Sequence, residues 1–295
     1  MKKIQKIFTM VLCIIMVITV SAFGGQKWPK KIRLGLIPTE GGADIKIRFQ
    51  PLIDHLEKEL GIKVEPFSAS DYAGIITAMA HKHIDFAYFG PKSYVEASSR
   101  ANAQALALEL NTEGGKGYYG ILITNKKSGI TSMKMATDKT KTFAFTDPNS
   151  TSGCLVPSVL FYRDIGIPPE KLFKEISFSG SHGASMLAVK NSKIDVAATN
   201  DLDLKRMIEK GAIRSNDFNI IWKSELIPGA PMCGRKDLPS SLKAAFTGAL
   251  MSFNFNKKGL AKLQIGGYTP VNDTSYDVVR YMKQLKAKLQ AKKGN

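Results

Sequence analysis

The chain contains few of the residues that build metal centres and disulfide frameworks. Its 295 residues include three cysteines and four histidines, and the sequence has no Cys-x-x-Cys pair. Structural zinc sites need such residues at close spacing, so the sequence predicts no metal site. Cys154 and Cys233 follow the N-terminal apolar run, and an oxidising compartment would allow them to pair. Whether their Cα atoms approach closely enough stays open at the level of sequence.

Acidic residues are also scarce. Lys and Arg number 42 against 25 Asp and Glu, a formal net charge of +17. Such an excess suits a protein that binds nucleic acid, a membrane surface or a small anion. No motif that reads DNA or RNA is present, which argues against nucleic acid as a partner. We expect a basic, amphipathic surface helix near the C-terminus, because six basic residues and no acid occupy the last 16 positions.

The longest apolar run lies at the N-terminus. Three lysines, at positions 2, 3 and 6, precede an apolar stretch over residues 7–20, and small residues follow it. This order is typical of a secretory signal peptide over residues 1–22. An uncleaved anchor helix is the alternative, but the run is short for a membrane span. We therefore expect a periplasmic mature chain with 39 basic and 25 acidic residues, a net charge of +14.

The mature sequence begins with a strand–helix–strand pattern. Residues 32–37 form an apolar strand, residues 49–60 have apolar side chains at helical spacing, and residues 62–66 read as a second strand. Pro51 would then lie in the first turn of the helix, where proline is tolerated. The pattern predicts an α/β protein built on parallel strands.

An internal repeat predicts two lobes. Residues 78–87 match residues 188–197 at a constant offset of 110, and the alignment places Tyr72 opposite His182. Chance similarity of two ordinary helix–strand units is the alternative. We expect one lobe from residues 28–123 plus 224–295 and a second from residues 124–223. The strands at 120–125 and 219–223 would cross between them, and a small ligand would bind in the cleft.

The segment Asp147-Pro-Asn-Ser150-Thr151-Ser152-Gly153 lies between a predicted strand at 143–145 and an apolar helix. Three hydroxyl side chains therefore lie at a helix N-terminus, where free N–H groups and the helix dipole attract anions. A simple helix cap is the alternative interpretation.

Two further segments carry candidate polar groups. The loop at 114–117 lacks the spacing of a phosphate-binding P-loop and is predicted to present Tyr118 and Tyr119. His182 lies at a predicted helix start, where the dipole favours the neutral imidazole. Because no Gly-x-Ser-x-Gly motif is present, a secreted Ser/His hydrolase is disfavoured and we predict no catalytic residue.

Four segments together resemble the phosphonate-binding subunit of ABC importers, in the broader phosphate, phosphite and phosphonate periplasmic-binding family. They are DYAGII at 71–76, DPNSTSGCLVP at 147–157, GSH at 180–182 and IWKSELIPGAP at 221–231. The resemblance covers nearly the whole mature chain. It implies the bilobed type II periplasmic-binding-protein fold, with two mixed-sheet lobes joined by two crossing strands. It also implies delivery of the ligand to an ABC permease, without a cofactor; a sensor-kinase partner is the alternative.

The resemblance further implies a set of ligand-binding residues. Ser150, Thr151 and Ser152 would hold the oxygens of a phosphonate, phosphite or phosphate. His182 would donate from the second lobe, and Tyr72 and Tyr118 from the first, so that neutral donors hold the anion.

One position departs from the family pattern. Family members that bind aminoalkyl phosphonates have an acid where this chain has Ala230. Asp201 and Asp203 lie near a second family acid, but in an uncertain register. The departure favours a smaller ligand without an amine, such as phosphate, phosphite or methylphosphonate, over 2-aminoethylphosphonate.

Overall fold

The computed structural model describes residues 27–293, and within these residues the strands form two sheets. The first sheet has the order β11-β4-β10-β3-β1-β2. Its strands are β1 (Lys31–Leu36), β2 (Lys63–Ser68), β3 (Phe86–Tyr88), β4 (Ala103–Leu110), β10 (Pro231–Arg235) and β11 (Gly267–Pro270). β1 pairs in parallel with β2 and β3, whereas β10 and β11 pair antiparallel to β4. The sheet is therefore mixed.

The second sheet has the order β7-β6-β8-β5-β9. Its strands are β5 (Gly117–Asn125), β6 (Thr142–Phe145), β7 (Glu175–Phe178), β8 (Val196–Asn200) and β9 (Phe218–Pro228). β6 runs parallel to β7 and β8, and β5 runs antiparallel to β8 and β9. Successive β5 residues, Ile121 and Leu122, belong to different apolar clusters. Both faces of this sheet are thus covered, as the alternation of side chains along a strand requires.

Helices cover the faces of both sheets. They are α1 (Gly42–Leu60), α2 (Tyr72–Ala80), α3 (Pro91–Arg100), α4 (Met133–Ala136), α5 (Thr151–Leu155, Val156–Val159 and Leu160–Ile165 in continuous succession), α6 (Pro169–Leu172), α7 (His182–Lys190), α8 (Asp201–Glu209), α9 (Ser240–Phe253), α10 (Lys257–Leu263) and α11 (Asp277–Lys293). The first and third parts of α5 are π-helical. The strand-and-helix architecture confirms the predicted bilobed α/β fold with two mixed sheets.

The first helix is longer than the sequence pattern predicted. α1 begins at Gly42, so Pro51 lies in its interior and the first-turn placement was wrong. A proline there cannot donate a backbone hydrogen bond to the carbonyl of Ile47, four residues earlier. Ile47 is 64% exposed, so water can satisfy this carbonyl group.

The chain passes between the sheets at residues 111–116 and 229–230. β5 and β9 pair with each other and belong to the second sheet over their whole lengths. The lobe boundaries predicted at residues 123 and 223 lie inside these strands, and they stay a prediction of where the lobes move apart. After β9 the chain returns to the first sheet through β10 and β11, while α11 packs against both α3 and α5.

The internal repeat corresponds to matching helix starts. α2 begins at Tyr72 and α7 begins at His182, and each helix has nine residues. The preceding residues, Asp71 and Ser181, each accept a hydrogen bond from a backbone N–H in the first turn of their helix. The two units therefore share their N-terminal cap as well as their spacing.

The same correspondence continues into the strands after these helices. Asp85, just before β3, accepts a hydrogen bond from the backbone N–H of Arg33 at 2.8 Å. Asp195, 110 residues later and just before β8, accepts one from the backbone N–H of Thr142, also at 2.8 Å. Each aspartate thus ties its unit to the first residues of a neighbouring parallel strand.

Cys154 and Cys233 are buried in different apolar clusters, and within residues 27–293 neither forms a disulfide. No helix in this described part of the chain is long and apolar enough to cross a membrane. The predicted signal peptide, residues 1–22, lies outside the described residues.

Candidate functional site

A small cavity lies between the two sheets and has a volume of about 40 Å³. A single water needs roughly 10–15 Å³ measured in the same way, so the cavity suits a ligand of a few heavy atoms. Most of the predicted site residues line it: Tyr72, Tyr118, Ser150, Thr151, His182 and Asp203. Among the described residues, the lining does not include Ser152 or Asp201. It does include residues that the sequence did not indicate: Tyr88, Glu109, Asn200 and Arg206.

Ser150 caps the helix that points at the cavity. Its Oγ accepts a hydrogen bond from the backbone N–H of Gly153 at 3.0 Å, so its hydroxyl proton is available to a ligand. Gly153 is required there, because a Cβ atom would lie 2.3 Å from the side chain of Thr146. The first N–H groups of α5 have no partner within the helix. The segment can therefore cap the helix and bind an anion at the same time.

Thr151 is bonded across the cleft. Its Oγ1 accepts a hydrogen bond from the backbone N–H of Lys92 at 2.8 Å, where α3 begins. The hydroxyl of Thr151 can then donate its own proton into the cavity. The ammonium group of Lys92 also donates to the carbonyl oxygen of Pro148, and burial lowers the pKa of Lys92. Both contacts join the first lobe to the predicted anion loop.

The two tyrosines are buried donors. The Tyr72 hydroxyl has no hydrogen-bond partner among the described residues, although its ring is 1% exposed. Burial raises the pKa of Tyr72 and of Tyr118, so both phenols stay protonated at neutral pH. A buried O–H group without a partner is costly unless a ligand accepts its proton.

His182 is 3% exposed. Burial is the main cause that lowers its pKa; nearby Arg206 lowers it further, and Asp203 opposes both. This direction favours the neutral imidazole that the sequence predicted, with desolvation as the largest cause of the shift. The His182 Nε2 atom lies 3.4 Å from the Ser150 Oγ and 4.0 Å from an Asp203 carboxylate oxygen.

The other ring nitrogen of His182 faces two threonines. Its Nδ1 lies 3.2 Å from the Thr199 Oγ1 and 3.4 Å from the Thr146 Oγ1. Thr146 donates its proton to the carbonyl oxygen of Ala198 at 3.0 Å. Thr199 can donate to Nδ1, and in that arrangement the imidazole proton lies on Nε2, toward the cavity.

A charged array crosses the cleft and also lines the cavity. Arg206 donates to an Asp203 oxygen at 3.1 Å and to a Glu109 oxygen at 2.8 Å, and all three side chains are at most 5% exposed. Asp203 also accepts a hydrogen bond from Asn200 at 2.7 Å. The resemblance implied neutral donors alone, whereas the cavity also contains this paired arginine. Asp201 lies outside the lining and accepts from the backbone N–H of Tyr119 at 2.9 Å.

One sequence signal could have indicated the array. Glu109 is a single acid in the otherwise apolar run at 105–110, and a charged residue in a buried strand needs a partner. Its partner, Arg206, is 97 positions away in the sequence and on the other lobe. The pairing therefore depends on the folded arrangement.

The two repeated helices are each bonded to the opposite lobe. The backbone N–H of His182 donates to the carbonyl oxygen of Thr39 at 2.9 Å. The backbone N–H of Tyr72 donates to the Asp147 carboxylate at 3.3 Å. The structure is thus a closed form, in which direct contacts hold the lobes together. Among the described residues, no group of three or more His, Cys, Asp or Glu side chains could hold a metal ion.

Two lobes that close around a small cavity with hydrogen-bond donors define a solute-binding protein of the periplasmic type. A sequence model of the family described as "ABC transporter, phosphonate, periplasmic substrate-binding protein" matches residues 34–276. The chain belongs to this family. Its members are periplasmic components of a transporter.

Relatives support this membership over most of the chain. The phosphonates-binding periplasmic protein of Escherichia coli is 35% identical over 252 residues, which is 85% of this chain and 74% of the relative. The phosphate-import protein of Mycolicibacterium smegmatis is 32% identical and covers 87% of this chain and 86% of its own. A solved binding component of a Pseudomonas aeruginosa ABC phosphonate transporter has a TM-score of 0.84 at 33% identity, covering 88% and 87% of the two chains.

Proposed function

We propose that the chain binds a small phosphorus oxyanion, a phosphonate, phosphite or phosphate, in the cavity between its lobes. Ser150, Thr151, Tyr72, Tyr118 and His182 supply the donors. Ser152, the third hydroxyl of the run, is buried outside the lining, and its hydroxyl has no hydrogen-bond partner among the described residues. The observation that carries the proposal is the set of donors that converge on one closed cavity, among them the buried Tyr72 hydroxyl without a partner. The names of the relatives support the phosphorus class.

The geometry supports an anion held by neutral groups. Hydrogen bonds to a charged acceptor contribute about 1.5–3 kcal/mol each, more than bonds between neutral groups. The free N–H groups at the start of α5 add to these side-chain donors. Because Arg206, which lines the cavity, is already paired with two carboxylates, the anion relies on the neutral donors.

A ligand panel tests this proposal. Phosphate, phosphite, methylphosphonate, sulfate and methanesulfonate are added separately, and the thermal unfolding of the mature chain is measured. A ligand at a hundred times its dissociation constant stabilises the folded state by about 2.7 kcal/mol. We expect stabilisation by at least one phosphorus compound, lost in Ser150→Ala and retained in Ser99→Ala, an exposed serine on α3. No stabilisation by any phosphorus compound would exclude the proposed ligand class.

We infer further that the closed, liganded form delivers its ligand to an ABC permease at the periplasmic side of a membrane. Membership of the family supports this step. The test is ATP hydrolysis by the reconstituted cognate permease, with and without this protein and its ligand. Stimulation only when both are present is the expected result. The same rate without the protein would argue against the permease as its partner and for a sensor protein.

A further inference from the structure

One face of α8, continued by Lys210 just after the helix, forms a row of contacts across the cleft. Positions 205, 206, 209 and 210 have the spacing of a single helical stripe. The contacts are Lys205 to Thr112, Arg206 to Glu109, Glu209 to Gln264 and Lys210 to Glu40. Arg206 also lines the cavity, whereas among the described residues the lining includes neither Glu209 nor Lys210. The helix therefore connects the ligand site to contacts outside it.

The last contact of this row closes over a buried carboxylate. Glu40 lies between β1 and α1 in the first lobe, and its side chain is 1% exposed. Its Oε1 atom lies 2.6 Å from the Nε atom of Arg48, a residue of α1 that is 2% exposed. Its Oε2 atom accepts a hydrogen bond from Lys210 of the second lobe, whose side chain is 35% exposed. One oxygen of Glu40 is thus paired within its own lobe and the other across the cleft.

Opening of the cleft affects the two oxygens of Glu40 differently. Arg48 belongs to the same lobe as Glu40, so this ion pair is retained when the lobes separate. The ammonium group of Lys210 moves away, and water replaces it on Oε2. In the closed form water has little access to that oxygen, and a buried carboxylate oxygen without a partner is costly. Lys210 therefore removes a penalty that exists only in the closed form.

We propose that Lys210 is a positioning residue, which holds the lobes closed over the ligand by pairing with Glu40 and does not contact the ligand itself. Because the pair forms only on closure, it stabilises the closed complex and slows the release of the ligand. The capture of the ligand begins in the open form, where the pair is absent, and should not depend on it. The inference rests on the proposed function for the identity of its ligand.

The test separates release from capture. Phosphate, phosphite and methylphosphonate are used in turn; phosphorus-31 exchange NMR measures the release rate constant, and calorimetry gives the dissociation constant, so that their ratio gives the capture rate constant. In Lys210→Met we expect release to become about fivefold faster or more, while capture changes less than about twofold. Lys193→Met, at an exposed lysine of the same lobe, is the control and should keep both rates. An unchanged release rate in Lys210→Met would overturn the proposed role and leave the oxyanion site intact.

The split between the two rates also excludes a simpler role for this lysine. A lysine that only attracts the anion from a distance would act on capture, so a loss confined to the capture rate would overturn the Glu40–Lys210 pair as a closing contact. Raising the salt concentration from about 0.05 to 0.5 M should speed release from the wild-type chain more than from Lys210→Met, because salt screens a partly exposed ion pair. An equal response of both proteins would contradict the proposal.

A ligand-free measurement keeps this inference separate from the proposed function. If no phosphorus compound binds the wild-type chain, the proposed function fails, and the closed population of the free protein decides the role of Lys210. Paramagnetic relaxation from a spin label on the first lobe, read on amide protons of the second, measures this population. Lys210→Met should lower it by the same factor of about five or more. Equal populations in the two proteins, including none in either, would overturn the inference.

Discussion

The helix that begins at Tyr72 and the helix that begins at His182 share their length, cap and distance to the following strand. The first backbone N–H of each helix donates a hydrogen bond to the opposite lobe. The first side chain, however, is a phenol in one helix and an imidazole in the other. Similar backbone geometry thus delivers two different donors to one cavity, one from each side.

Burial favours the neutral form of both donors, although it shifts their pKa values in opposite directions. It raises the pKa of Tyr72 and lowers the pKa of His182, because the charged form is an anion in one case and a cation in the other. Burial is the largest cause of both pKa shifts, so one physical effect acts on the donors of both lobes.

The largest effect is expected from Arg206→Met. Arg206 helps to keep His182 neutral and pairs with Glu109 and Asp203. Removing one partner of a buried ion pair costs about 3–5 kcal/mol. Because opening the cleft rehydrates Glu109, this cost falls mainly on the closed form. We expect the ligand affinity to fall by about a hundredfold or more in calorimetry. Arg214→Met, which removes an 83% exposed arginine, is the control; a change under threefold in Arg206→Met would contradict the assignment.

Replacing the two donors themselves should give similar, smaller losses. Tyr72→Phe and His182→Ala each remove one hydrogen bond to a charged ligand, worth about 1.5–3 kcal/mol or roughly 10- to 150-fold in affinity. Tyr281→Phe, at a 61% exposed tyrosine of α11, should bind as the wild type does. If only one of the two variants loses affinity, the two helices match in backbone geometry but do not both donate to the ligand.

The sequence was sufficient for the parts of the molecule that repeat or obey local rules. The offset of 110 residues predicted that Tyr72 and His182 are equivalent, and the hydroxyl run predicted the helix start at Ser150. Both depend on short-range patterns, namely apolar spacing and capping residues.

The remaining features depend on contacts between distant segments. Glu109 and Arg206 come from different lobes, so neither strand pattern nor helix pattern brings them together. Desolvation of His182 likewise reflects how the lobes close and could not be inferred from its place at a helix start. The early start of α1 was not predicted, because the helix was taken to begin at residue 49, with the first apolar residue of the helical pattern.

The pH dependence of the free energy of unfolding should show the effect of burying His182. The pKa of His182 is lowered from 6.5 in the folded chain, so below pH 6.5 the unfolded chain binds a proton that the folded chain does not. Stability is therefore fully present above pH 6.5 and declines as the pH falls, by at most about 1.4 kcal/mol per pH unit. Denaturant unfolding without ligand measures this slope, and His182→Gln is expected to reduce it. Equal slopes for both proteins would contradict a buried neutral His182.

The smallest effect is expected from Thr199→Val, which leaves His182 in place and removes the hydroxyl 3.2 Å from its Nδ1. The imidazole proton is then no longer directed to Nε2, and the tautomer with the proton on Nδ1 can donate to Thr146 instead. A neutral hydrogen bond is worth about 0.5–1.5 kcal/mol, so the affinity should fall only about two- to tenfold. Nitrogen-15 NMR of the ring separates this role from mere packing, since wild type should show a protonated Nε2 and the variant a mixture. A wild-type signal with the proton on Nδ1 would show that Thr199 accepts rather than donates, and that His182 does not donate to the ligand as the Tyr72 hydroxyl does.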